Sequence, residues 1–188
     1  MKPAFLIAAA AAVLAGLAAP VALSAAEPQP AAVAAAPAPR PYPQLTHVAW
    51  VVPNLDKALA DSAAQLGTKP ANLVFRRVLT VDRGTYQGRP AHFSAEFALL
   101  ELGNTQFEFI QPLTGTSPYS DALKGHRGAV MHHLAFTVPD LDGQITAARR
   151  ANPQARVVLD AHLKGFDARY VYMSGVMPGT LVEFIPGR

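Results

Sequence analysis

The chain has 188 residues, 51% of them hydrophobic and 15% charged, a balance that suits a packed core and excludes a wholly disordered protein. Its net charge of +3 comes from a small, unclustered excess of Lys and Arg, so nothing in it calls for a nucleic-acid partner. Cysteine is absent, which excludes disulfides, thiolate metal sites, cysteine nucleophiles and a lipoprotein anchor; a metal would be held by His, Asp, Glu or neutral oxygens.

Residues 1–26 read as a secretory signal peptide. Lys2 precedes an apolar run from Ala4 to Leu23, and Ser24 and Ala26 supply the small residues of a cleavage site after Ala26, with a cut after Ser24 as the alternative; the run is also long enough for a retained transmembrane anchor, which its Ala-rich character and Pro20 disfavour. Cleavage there leaves no stable membrane anchor, and the expected location is periplasmic or secreted. Residues 27–43 carry six Pro among many Ala and read as an extended Ala/Pro-rich tether. The folded domain is expected over 44–188, long enough for one core.

Within it, β-branched and aromatic residues predict a strand over Thr46–Val52, ended by Pro53. Asn54 suits the N-cap of a helix whose apolar stripe is Leu55, Ala58, Leu59, Ala63 and Leu66 and whose stop is Gly67. Strands follow over Leu73–Val81, Ala91–Leu102 and Thr105–Gln111, separated by turn residues at 82–84, 87–88 and 103–104. The connector 113–130 contains SPYSDAL, which opens like a short helix at Ser117 or Pro118. A strand over Met131–Val138, a helix from Asp140 to about Ala151, and strands near 155–160, 168–173 and 180–185 complete the chain.

The order is duplicated. HVAWVVPNLD at 47–56 matches HLAFTVPDLD at 133–142 with an offset of 86, and EFI recurs at 108–110 and 183–185. The expected fold class is therefore α+β, with two tandem β-α-β-β-β modules, about 44–112 and 130–188, forming a metal-lined cleft. Each module opens on a His and closes on a Glu, 61 residues apart in the first half and 50 in the second.

Strand alternation gives the faces. His47 shares a face with Ala49 and Val51, opposite Val48, Trp50 and Val52. His133 shares one with Ala135 and Thr137, opposite Leu134, Phe136 and Val138. Glu108 opposes Phe107 and Phe109, and Glu183 opposes Val182 and Phe184. The large apolar residues should pack on helices, leaving His47, Glu108, His133 and Glu183 to face a cleft. Two imidazoles and two carboxylates suit one divalent metal such as Zn, Ni, Co, Mn or Fe. Two further positions would remain for water or substrate, and a substrate oxygen polarised there acidifies a neighbouring C–H. Taken singly, a strand His is more often a hydrogen-bonded core residue and a strand Glu a solvated one; the repetition is what raises these four. By the same alternation His132 should face the helices. His92, His126 and His162 have no counterpart in the repeat and read as surface or loop residues.

The stretches HVAWVVPNLDKALA, ELGNTQFEFIQPL, SPYSDAL, HHLAFTVPDLD and GTLVEFI resemble the vicinal oxygen chelate superfamily of glyoxalases, bleomycin-resistance proteins and dioxygenases, nearest its methylmalonyl-CoA epimerase-like branch. The resemblance spans 44–188 and implies paired modules around one divalent metal, with His47, Glu108, His133 and Glu183 as ligands. It implies Glu183 as the proton-shuttling glutamate and Glu96 as a candidate for a second. Arg169 and Tyr170 lie where such proteins often have substrate-contacting or structural residues. The acidic turn of glyoxalases before the last ligand is replaced by Met177-Pro178-Gly179-Thr180, which disfavours a glutathione-adduct substrate.

The leading functional expectation is an exported divalent-metal-dependent isomerase, epimerase or lyase for a small oxygen-bearing organic substrate, stabilising an enolate while a glutamate moves the proton. One alternative is an iron-dependent extradiol-type dioxygenase, which uses two His and one carboxylate. The other is a non-enzymatic small-molecule binder on the same fold. Both a monomer and a homodimer fit the two modules.

Overall fold

In the computed structural model, residues 43–165 and 169–187 are described. The expected signal peptide and all but the last residue of the tether lie outside them. Among the described residues no helix is long and apolar enough to cross a membrane.

Nine strands and three helices follow in the order β1 (Gln44–Val51), α1 (Leu55–Leu66), β2 (Leu73–Tyr86), β3 (Arg89–Pro90), β4 (Phe93–Leu102), β5 (Thr105–Thr114), α2 (Pro118–Ala122), β6 (Val130–Val138), α3 (Leu141–Ala151), β7 (Arg156–Leu163), β8 (Arg169–Met177) and β9 (Thr180–Pro186). All strands join one sheet in the order β3-β2-β4-β5-β1-β6-β9-β8-β7, and β2 also pairs with β7. The sheet thus curls until its two ends meet. The described residues are mostly β, with α1 and α3 on the outside and the short α2 contributing Tyr119 to the inner core, and the expected α+β description holds only roughly.

The two halves are visible in the ladder. From the centre outward, β1-β5-β4-β2 mirrors β6-β9-β8-β7 across the antiparallel β1–β6 pair. In each half the opening and closing strands are parallel, β1 with β5 and β6 with β9. Such a pair needs a crossover, and α1 and α3 begin the connections. Their starts are capped alike. Asn54 Oδ1 accepts from Lys57 N at 2.8 Å, and Asp140 Oδ1 from Gly143 N at 3.0 Å. Gly67 ends α1 in the left-handed region at φ 67°.

Helix α1 is anchored by fewer residues than its stripe suggests. Leu55 is fully buried and packs with Trp50, Ala58, Leu59 and Phe109, but Ala63 is exposed and Leu66 is 62% exposed. The buried position of its later turns is Ser62, whose hydroxyl donates to the Ala58 carbonyl at 2.8 Å, and the side of Ala63 and Leu66 is left to solvent. A fully buried leucine such as Leu55 contributes about 1.5–3 kcal/mol. Helix α3 sits on Val182 and Phe184 through Leu141 and Ile145. The inner face of the curled sheet carries a second core, including Ala49, Val51, Phe93, Phe97, Tyr119, Tyr170 and Tyr172. The inner side is therefore rich in aromatic rings as well as small residues.

The seam between β2 and β7 depends on Gly84. A Cβ there would lie 2.3 Å from the Asp160 carbonyl oxygen and 2.6 Å from Ala161 Cα, and its φ of +145° disfavours other residues.

Candidate metal centre

The central strands place the four sequence-predicted groups by one rule used twice. Ala49 on β1 stands opposite Glu108 on β5 and opposite His133 on β6. Ala135 on β6 stands opposite Glu183 on β9 and opposite His47 on β1. Each fully buried alanine thus lies between a Glu and a His, and its small side chain leaves room for their tips to converge.

They do converge. The Nε2 atoms of His47 and His133 are 3.2 Å apart. Glu183 Oε2 lies 3.1 Å from each of them, and Glu108 Oε2 lies 3.5 Å from His47 Nε2 and 3.6 Å from His133 Nε2. All four residues are buried. Donors held about 2.1 Å from one cation stand about 3.0 Å apart at right angles and about 3.4 Å apart at tetrahedral angles. Glu183 Oε2 is buried and, among the described residues, has no hydrogen-bond partner despite its two close nitrogens. The donor set fits a divalent cation.

Without a cation the carboxylates and imidazoles act on one another. Burial lowers the pKa of His47, but Glu108 and Glu183 outweigh it and raise the value to about 9. Burial raises Glu183, yet His133 and His47 hold it at about 2. Glu108 moves up, chiefly through burial, against the pull of the two histidines.

The cluster floors a cleft of about 490 Å³ whose wall includes Phe75, Leu79, Phe97, Leu99, Leu163, Arg169, Tyr170 and Ile185. Arg169 is not a free cation. Its Nε and Nη2 donate to the two carboxylate oxygens of Asp160 at 2.8 and 2.9 Å, and Nη1 donates to Asp142 at 2.8 Å. Tyr170 is different, because its buried hydroxyl has no hydrogen-bond partner among the described residues. Tyr119 and Tyr172 bond each other through their hydroxyls at 2.8 Å.

Glu96 is not brought into the cleft. It lies on β4 between Ala95 and Phe97, which face inward, so its carboxylate points outward and accepts from Arg76 Nε at 2.8 Å. Arg76 also meets Asp56 of α1 at 2.7 Å. The second glutamate of the cleft wall is Glu108. His132 also departs from expectation. It is buried beside His133 with the two Nδ1 atoms 2.8 Å apart, and burial together with His133 lowers its pKa to about 3. His92 and His126 are exposed, and His162 is half-buried on β7. Tyr119 and Tyr172 were not singled out by sequence reading. Tyr172 shares strand parity with Tyr170, a usable signal; Tyr119 arrives through α2, with no local signal.

The sequence profile of the glyoxalase/bleomycin resistance protein/dioxygenase superfamily matches residues 46–172. The chain belongs to this superfamily. Members of the superfamily bind a divalent metal, and the His47–Glu108–His133 group has the donors for one, each within 4.8 Å of the others. The chain is similar to the mitochondrial methylmalonyl-CoA epimerase of Bos taurus, with 30% identity over 53% of this chain and 49% of that protein. It is also similar to the ethylmalonyl-CoA/methylmalonyl-CoA epimerase of Cereibacter sphaeroides, with 29% identity over 52% of this chain and 63% of that protein. The chain thus spans about half the length of the bovine relative. Among solved structures, methylmalonyl-CoA epimerase from Mycobacterium tuberculosis shares the superfamily fold at a TM-score of 0.54 and 24% identity, over 77% of this chain and 87% of that one.

Proposed function

We propose that this protein is an exported metal-dependent isomerase or epimerase, or a lyase of the same chemistry, acting on a small oxygen-bearing organic compound. The observation that carries the reading is the convergence of His47, Glu108, His133 and Glu183 on one point, with Glu183 Oε2 buried and without a hydrogen bond. A divalent cation held by these four supplies Lewis-acid polarisation of a substrate oxygen, which acidifies the adjacent C–H.

The chain's own groups supply the rest. Neutral imidazoles at His47 and His133 hold the cation through Nε2. Glu183 and Glu108 line the cleft as well as the cluster, so the proton taken from substrate carbon is received by a carboxylate oxygen of one of them. Glu108 takes the place expected for Glu96. The unpaired Tyr170 hydroxyl is available to donate to a substrate oxygen. The apolar wall of Phe75, Leu79, Phe97 and Leu163 receives the rest of the substrate and excludes water. The reaction type follows the names of the relatives. The thioester does not, because coenzyme A esters are kept inside membrane-bounded compartments, and an exported chain would not meet them.

Two carboxylates, each 3.1–3.6 Å from both Nε2 atoms, would leave fewer open positions than the two-His, one-carboxylate set of an extradiol dioxygenase. The test is the metal content of the purified chain beside His133→Ala, followed by oxygen uptake. About one divalent metal per chain, lost in the variant, and no oxygen consumption with catechols support the reading. A chain that takes up no metal from Zn, Ni, Co, Mn or Fe(II) refutes it and leaves a small-molecule binder.

A further inference from the structure

The geometry points to Thr46 and His132 as paired positioning residues that hold the two ligand histidines with Nδ1 protonated and Nε2 free for the metal. This rests on the metal-centre reading above.

On a regular strand the residue before a ligand points to the opposite face. Here the β1–β6 ladder is irregular at two places. Leu45 pairs with Phe136 and His47 with Ala135, so Thr46 is an extra residue on β1. Ala49 pairs with His133 and Trp50 with Met131, so His132 is an extra residue on β6. A bulge leaves one residue out of the ladder and re-aims side chains beside it. Each bulge falls immediately before a ligand histidine, and the two positions are related by the same offset of 86 that relates the halves.

Each bulged side chain reaches the far nitrogen of its neighbour. Thr46 Oγ1 lies 3.5 Å from His47 Nδ1 and donates its own hydrogen to the Ala135 carbonyl at 3.1 Å. Its lone pairs are therefore what it offers the ring. His132 Nδ1 lies 2.8 Å from His133 Nδ1. Only one of these nitrogens can carry the hydrogen between them. His133 Nε2 faces Glu183, Glu108 and His47, and as a ligand it must present a lone pair there, so its hydrogen sits on Nδ1 and His132 accepts. The remaining hydrogen of His132 then lies on Nε2, a buried atom with no hydrogen-bond partner among the described residues. The rings of Tyr119 and Tyr172, at 5.3 and 5.4 Å, keep His132 in place. The two halves thus solve one problem with different chemistry, a hydroxyl at one histidine and an imidazole at the other. What they share is an acceptor at Nδ1, the usual means of fixing a ligand histidine's tautomer.

The test uses four variants of the full chain. His132→Leu and Thr46→Val remove the acceptor and keep bulk; His132→Asn and Thr46→Ser keep an acceptor. Zn2+ affinity is read by competition with a chromophoric chelator, and folding by thermal melts. We expect His132→Leu and Thr46→Val to weaken Zn2+ binding by about 10–100-fold, the larger loss at His132, and the Asn and Ser variants to restore it. In parallel, 15N spectra of the Zn2+-loaded chain report which ring nitrogen carries hydrogen and how well that hydrogen is protected from exchange with water. His47 and His133 should both carry a protected hydrogen on Nδ1, with His133 alone losing protection in His132→Leu and His47 alone in Thr46→Val. Unchanged affinity in His132→Leu, an equal loss in His132→Asn, or wild-type rings that carry hydrogen on Nε2 and bind Zn2+ through Nδ1 would overturn the assignment. A wild-type chain that binds no Zn2+ defeats the metal reading, and the assignment with it.

Discussion

Metal-free protein should lose stability as the solution becomes alkaline, and His47 sets how much. Its Nε2 faces Glu183 at 3.1 Å, His133 at 3.2 Å and Glu108 at 3.5 Å. The two carboxylates overcome burial and raise its pKa from 6.5 to about 9. The folded chain therefore binds this proton more tightly than the unfolded chain. The stabilisation is complete below about pH 6.5 and disappears as pH rises through about 9. The difference between the two values corresponds to about 3 kcal/mol. Metal binding needs a neutral imidazole, so the same proton must leave when the cation enters. Affinity should then rise about tenfold per pH unit up to about 9, or about 100-fold between pH 7 and pH 9. The assay is urea unfolding of chelator-treated protein between about pH 6 and pH 10, paired with Zn2+ competition titrations over the same range. A His47→Gln variant should flatten the stability curve. Metal-free stability that is level or rising between pH 7 and pH 9, or affinity independent of pH there, would refute the reasoning.

The two inner alanines give a second test. Ala49→Val or Ala135→Val puts branched carbon between a His and a Glu, and each should cost about 1–3 kcal/mol and abolish stoichiometric metal, read by melting and elemental analysis. Glu96→Gln should keep its metal and lose no more than about 1 kcal/mol, whereas Glu108→Gln should weaken binding in the same titration. Gly84→Ala should cost about 1–3 kcal/mol for its backbone conformation alone, with more from the contact with Asp160. A Tm that falls by less than a degree would show that the β2–β7 seam can shift to accept a side chain.

Much of this site was legible because alternation and duplication are both properties of the chain itself. The faces of His47, His133, Glu108 and Glu183 follow from strand parity, and the structure puts all four on the inner face. The same parity, applied to the run Phe93-Ser94-Ala95-Glu96-Phe97, places Glu96 on the outer face with its partner Arg76; it was the family expectation that pulled it inward. His132 was beyond reach for another reason. Parity assumes an unbroken ladder, and a bulge moves one residue out of step without any local mark in the composition. Tyr119 lies in a connector whose path depends on the closed sheet, so no pattern within SPYSDAL announces that its ring lies against His132. A cleft was expected, but the closure of one sheet around it was hidden, since the β2–β7 pairing joins segments about 80 residues apart.

The duplication has a consequence for how a ligand is oriented. Two identical halves would build a cage with twofold symmetry, in which a ligand could lie either way round with equal energy. Because one chain supplies both halves, they are free to differ. The first contributes Phe75, Leu79 and Phe97 to the cleft, and the second contributes Arg169, Tyr170 and Tyr172. The two halves of the lining are therefore chemically unlike, and an elongated ligand has one preferred head-to-tail direction across the central cluster.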